Sequence, residues 1–171
     1  MKGLVAFDHA LTERIRAWGK AWFGFWKFMA ARSIALFPIA ALALSLTEQL
    51  VWWHYVLAFV TAYLVSNGLQ RLVKRHRPDF AHLTGYKMLV HSYSYPSMHS
   101  AMSSSSAVAL ILMSDFSTPT MATITTVGAI ALAFLIGVSR IVVGVHYCAD
   151  VIFGWLVGFV IALGYVLLLV V

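Results

Sequence analysis

The chain has 171 residues, of which 61% are hydrophobic and 11% charged, with a mean hydropathy of +0.86; a soluble domain carries about 45–50% apolar and about 25% charged residues. The apolar excess is too large for one soluble core, so part of the solvent must be lipid, and the length fits a single domain over residues 1–171. Twelve Lys and Arg stand against six Asp and Glu, clustered between nearly ion-free stretches, which argues against a nucleic-acid-binding face, where basic residues recur along a solvated surface.

Residues 1–22 come first. Leu4, Phe7, Leu11, Ile15, Trp18 and Trp22 recur every three or four positions, with His9, Thr12, Glu13, Arg16 and Lys20 mostly between them. That pattern predicts an amphipathic helix lying in the membrane interface, packed on the protein's own loops, or both. Asp8 interrupts the apolar start too early for a cleavable signal segment. About 20 apolar residues cross a bilayer as a helix, and five candidates follow: residues 33–46 (extended backward through the aromatic run 22–29), 51–69, 100–113, 120–138 and 151–171. The fold class expected is all-α, a polytopic membrane bundle of about five spans plus the N-terminal interfacial helix. Trp52, Trp53 and Tyr55 read as interfacial anchors. Gly154 and Gly158 form a small-residue step suited to close packing within the bundle.

Spans alternate in direction, so the long loops 70–99 and 139–150 emerge on one side and the turns 47–49 and 114–119 on the other. Nearly all the polar chemistry falls in those two loops, and five spans bring it together.

Three constellations lie there. Gln70, Arg71, Lys74, Arg75, His76, Arg77 and Pro78 end the second span, with four cations in seven residues; the cluster suits either lipid headgroups or a bound anion, and Pro78 turns Arg77 off the helix line. Pro96, Ser97, Met98 and His99 open the third span, where free backbone N–H groups make an anion site beside a titratable imidazole. Ser139, Arg140, His146 and Asp150 form the third. If the chain is helical from His146 onward, His146 and Asp150 are one turn apart, a carboxylate placed to fix the tautomer of an attacking imidazole or simply to cap a helix. Arg140 adds a planar fork of donors matched to phosphate oxygens.

In order and spacing these motifs resemble those of the type 2 phosphatidic acid phosphatases: Lys-x6-Arg-Pro, Pro-Ser-x-His and Ser-Arg-x5-His-x3-Asp. The second and third are complete; the first matches at Arg77-Pro78 but has Gln70 at the lysine position, and the motifs span residues 70–150. The resemblance implies a membrane lipid phosphatase with His146 as nucleophile, Asp150 orienting it and His99 protonating the leaving oxygen. Arg77, Arg140 and Ser97 would hold the phosphoryl oxygens. Lys74, four residues from Gln70, is expected to share its face and supply the missing cation, with Gln70 itself, as a neutral donor to a lipid polar group or a second phosphate, as the alternative.

The resemblance implies no metal and no cofactor, and His54, His76, His82 and His91 show no zinc-ligand spacing. The expected partners are a lipid phosphate substrate and membrane lipids, with no nucleic acid. The substrate expected is undecaprenyl diphosphate, with phosphatidic acid, phosphatidylglycerophosphate or another prenyl phosphate as alternatives. A non-catalytic binder of anionic lipid is the alternative of another class, and it needs cations but no nucleophile. Family resemblance places the site outside a bacterial inner membrane; the basic residues on the motif-bearing face argue for the cytoplasm. The extracytoplasmic side is the reading adopted.

Overall fold

The computed structural model describes residues 2–78 and 93–169. Among them seven α-helices carry the fold: α1 (Lys2–Gly19), α2 (Phe23–Arg32), α3 (Leu36–Leu46), α4 (Trp52–Val73), α5 (Met98–Leu112), α6 (Pro119–Val142) and α7 (Cys148–Leu169). No strand occurs among the described residues; a single bridge pairs Leu50 with Ser114. The continuous helical stretch ending at Leu46, together with α4, α6 and α7, is long and apolar enough to cross a membrane, and α5 is a shorter apolar helix of 15 residues. The chain is a multi-pass membrane helix bundle.

Helices α2 and α3 follow one another over residues 23–46, about 36 Å of helix, long enough for the first crossing. The stretch bends at a short 3-10 turn, Ser33–Ala35, where the Arg32 backbone leaves helical geometry and the Ser33 hydroxyl bonds back to the Met29 carbonyl. Pro38 falls in the first turn of α3, where no helical partner for its nitrogen is needed.

The axis of the bundle is α5, packed against α4, α6 and α7. Its sequence explains the place: Ser100, Ala101, Ser103, Ser105, Ser106, Ala107 and Ala109 are all buried, and small side chains let neighbouring backbones close in. In an apolar surround each hydroxyl needs a partner. Ser105 Oγ donates to Ala58 O at 3.0 Å, Ser104 Oγ to Trp155 O at 2.8 Å, and Ser106 Oγ pairs with the Tyr55 hydroxyl at 3.2 Å. Tyr55 is therefore a core residue, 3% exposed, and not the interfacial anchor expected of it; Trp52 and Trp53 are exposed. Gly154 and Gly158 face α5 so closely that a Cβ on Gly158 would lie 2.0 Å from Ala101 O, and one on Gly154 2.5 Å from Ser97 O. The small-residue step packs inside the bundle.

The far ends of the helices are tied together by Asp115 N–H donating to Gln49 O at 2.8 Å, beside the Leu50–Ser114 bridge. Thr118 caps α6, its Oγ1 accepting the Met121 N–H, with Pro119 in the first helical position. At the opposite end α1 packs along α6 and α7. Leu11 and Ile15 sit with Ile141, Cys148 and Val151, and a Cβ on Gly19 would collide with Val142. Toward the two ends of the same stripe Leu4, Phe7 and Trp18 stay exposed, as does Trp22 in the 3-10 turn that follows. The middle of the stripe thus packs on the protein and its ends are free for lipid.

Candidate active site

The turn between α6 and α7 is built for one residue, His146. Val143 caps α6 and Gly144 follows with φ 80°, a left-handed conformation that a residue without Cβ adopts at least cost. Gly144 N–H donates to Ile141 O at 3.0 Å and Val145 N–H to Arg140 O at 3.2 Å, closing the last turn. The chain then restarts at Cys148, with the Asp150 carboxylate reaching back to the Tyr147 N–H at 2.9 Å. His146 lies between the two helix ends and is buried.

His146 Nδ1 is 2.7 Å from Ser94 O. A carbonyl only accepts, so Nδ1 carries the hydrogen and the lone pair of the neutral ring is on Nε2. Nε2 faces Arg77 Nη1 at 3.1 Å, and the same nitrogen of Arg77 donates to Val145 O at 2.8 Å. Asp150 Oδ2 stands 3.6 Å from Nδ1, beyond a hydrogen bond. The carboxylate is a neighbouring charge and helix cap; the tautomer is set by the Ser94 carbonyl, a correction to the role expected of Asp150. The physical reason is that α7 begins after His146, so the pair is not on consecutive turns of one helix. Burial, and behind it the Arg77 and Arg140 guanidinium groups, holds the His146 imidazole well below the usual histidine range.

The remaining expected residues divide. Arg140 is buried in the last turn of α6 and donates from Nη1 to Ala30 O at 2.8 Å. His99, in the first turn of α5, lies within electrostatic reach of Arg140, His146 and Arg77. Ser97 caps α5, its Oγ accepting from Ser100 Oγ at 2.9 Å and from Ser100 N–H at 3.4 Å, and its own N–H is fixed on Asp150 O at 2.8 Å. That leaves the N–H groups of Met98 and His99, positions a helix cannot satisfy internally, at the start of α5.

Lys74 does not join them, and Gln70 reaches only the main chain of the second motif. Helix α4 runs on to Val73, so Gln70 is an interior helical residue, 1% exposed, with Nε2 donating to Pro96 O at 2.8 Å. Lys74 ends the helix in a left-handed conformation, φ 53°, and is exposed. The two do not share a face, because the four-residue spacing applies only within a continuing helix. The cation delivered inward is the next residue: Arg75 Nη1 lies 2.7 Å from Asp150 Oδ1, and Nη2 lies 2.8 Å from Asp8 Oδ2. His82 and His91 lie outside the described residues.

The PAP2 superfamily model matches residues 51–170, which includes every motif residue above. The chain belongs to the PAP2 superfamily. A crystal structure of a transmembrane PAP2-type phosphatidylglycerolphosphate phosphatase from Bacillus subtilis superposes with a TM-score of 0.67, at 21% identity, over 96% of this chain and 85% of that one. At that identity the likeness shows a shared fold. Comparison with curated proteins finds no match. Family and fold together support a membrane lipid phosphatase, and the PAP2 motif residues His99, Arg140, His146 and Asp150 meet at one end of the bundle.

Three contributors to this PAP2 site escaped the sequence reading: Ser94, Arg75 and Asp8. Ser94 acts through its carbonyl, which no side-chain pattern reveals. Arg75 was one of several equivalent cations in a run. Asp8 carried a signal: it is an acid on the face of a helix whose other polar residues are mostly basic.

Proposed function

We propose that this chain hydrolyses a lipid phosphate through a phosphohistidine on His146, without a metal ion. The observation that carries the reading is the Nδ1–H bond of His146 to Ser94 O, which leaves the Nε2 lone pair as the nucleophile. Nε2 attacks phosphorus in line with the leaving oxygen; the bond from phosphorus to that oxygen breaks, and its electron pair takes a proton from His99, which is protonated once the negative phosphate offsets the neighbouring Arg140 and Arg77 charges. Water then attacks the phosphohistidine and gives its proton to His99, and phosphate leaves with Nε2 restored. Arg77, which donates to Nε2 in the resting site, moves its donor to a phosphoryl oxygen as substrate arrives. Arg140 and the first N–H groups of α5 complete the cradle, where prearranged donors meet the charge spreading over three oxygens. Lys74 and Gln70 have no part in it.

Undecaprenyl diphosphate, cleaved on the extracytoplasmic face of a bacterial inner membrane, is the first substrate to test. Phosphatidylglycerophosphate is the second, favoured by the activity named for the B. subtilis protein of the same fold. Phosphate release from a panel of purified lipid phosphates in detergent decides between them. Activity is expected to survive exhaustive EDTA, to be blocked by vanadate, and to vanish in His146→Ala. Loss on chelation with recovery on adding a divalent ion, or more than a few per cent activity in His146→Ala, refutes the mechanism.

A further inference from the structure

We infer that Asp8, on the N-terminal amphipathic helix, is a positioning residue for the catalytic pair and acts through Arg75; this deepens the phosphatase reading and rests on it. Asp150 is fully buried, and a buried carboxylate needs a cation held in good geometry. That cation is Arg75, whose fork is divided between Asp150 Oδ1 at 2.7 Å and Asp8 Oδ2 at 2.8 Å. The guanidinium also lies 4.2 Å over the Tyr147 ring, on which His9 of α1 stacks at 4.5 Å. With one prong on each carboxylate, the planar group cannot turn without breaking a charged hydrogen bond.

The same helix builds the start of α7. Asp8 Oδ1 accepts the Ala149 N–H at 2.9 Å, and Thr12 Oγ1 accepts the Cys148 N–H at 3.0 Å. With Asp150 on the Tyr147 N–H, three consecutive donors are satisfied, two of them by α1. Satisfying them fixes the direction in which α7 enters, and with it the 3.6 Å spacing of His146 and Asp150. Asp8 reaches the reacting atoms only through these neighbours. Its loss should therefore slow the chemical step and leave substrate binding unchanged.

The test uses the full chain in detergent, comparing Asp8→Asn, Asp8→Ala, Arg75→Gln and the Asp8→Asn/Arg75→Gln double variant. Asp8→Asn keeps an acceptor for Ala149 and removes the charge from Arg75, so it is the variant expected to stay folded, as thermal melts would show, if Asp8→Ala does not. The expected result for Asp8→Asn is a fall in kcat of roughly ten-fold with KM within about two-fold, and a double variant no slower than Arg75→Gln alone. Unchanged kcat, a loss confined to KM, or additive losses would overturn the inference while leaving the phosphatase reading standing. If the wild-type chain hydrolyses no lipid phosphate, that reading fails separately. The relay is then read from the rate at which diethyl pyrocarbonate modifies His146, followed by peptide mass. The rate should rise several-fold in Asp8→Asn and Arg75→Gln, and equal rates would overturn the inference.

Discussion

The His146 imidazole is held through Nδ1 by the main-chain carbonyl of Ser94, at 2.7 Å. The orienting acceptor is thus a backbone atom that no substitution deletes, fixed in turn by Ser94 N–H donating to Arg75 O at 2.8 Å and by its hydroxyl on Arg75 O and His76 O. Tautomer control and charge control in this site belong to different residues.

Asp150→Asn is therefore expected to leave the tautomer intact and to remove only the charge beside it and the ion pair with Arg75. We expect kcat to fall by about 10²-fold, the scale of losing one prearranged electrostatic group, with KM little changed. Steady-state kinetics on a lipid phosphate check this; an effect confined to KM would make Asp150 a structural residue.

The pH profile follows from the buried imidazole. Because its pKa is held well below the ordinary value of about 6.5, the free base persists in acid, and the acid limb of kcat/KM due to His146 lies below pH ~6.5. Stability moves the other way. Below pH ~6.5 the unfolded chain binds a proton that the folded chain refuses, so stability falls as the pH drops through that value. Melts in detergent between about pH 7 and pH 5 should show this loss, and His146→Gln should reduce it.

At the end of α4 the expected outcomes are opposite for two neighbours. Lys74→Gln, at an exposed position, should leave kcat/KM within roughly two-fold of wild type. Gln70→Lys would place a charge at a site 1% exposed, against Pro96 O, and should destabilise the fold by about 3 kcal/mol or more. A severe kinetic defect in Lys74→Gln with normal melting would return that lysine to the phosphate site.

Gly158→Ala brings a methyl group to within 2.0 Å of Ala101 O, a backbone atom that cannot swing aside. The two helices must separate, and a loss of about 1–3 kcal/mol is expected, read as a lower midpoint in thermal unfolding. Gly128→Ala, where an added Cβ meets nothing, serves as the control.

The spans, their order and the convergence of the motif loops were legible because apolar length and alternation of direction are properties of the chain itself. That His146, Asp150, Arg140, His99 and Arg77 come to one end of the bundle was legible through the order of the motifs and the alternation of the spans. What failed were statements about direction. Lys74 breaks the helix with a left-handed residue that nothing in its side chain announces, so the face shared with Gln70 vanished and Arg75 turned inward instead. Tyr55 was read from its neighbours Trp52 and Trp53, yet its hydroxyl finds Ser106 and the ring goes inside. Asp8 drew attention only as an interruption, because its partners lie 67 and 141 residues away in sequence.

The brevity of α5 has a consequence for where the cut is made. At 15 residues it is about 22 Å long, roughly 8 Å less than the hydrocarbon layer it sits in. Its far end is moored to the turn at Gln49 and Leu50, and its near end, capped by Ser97, carries the site. With α4, α6 and α7 running to 22, 24 and 22 residues, a short α5 moored in this way would set the floor of the site in a well below the ends of its longer neighbours. A phosphate on a bilayer-anchored chain enters such a well by settling a few ångströms with its tail still in lipid. A water-soluble phosphate would have to abandon its hydration to descend as far, with no tail to draw it down.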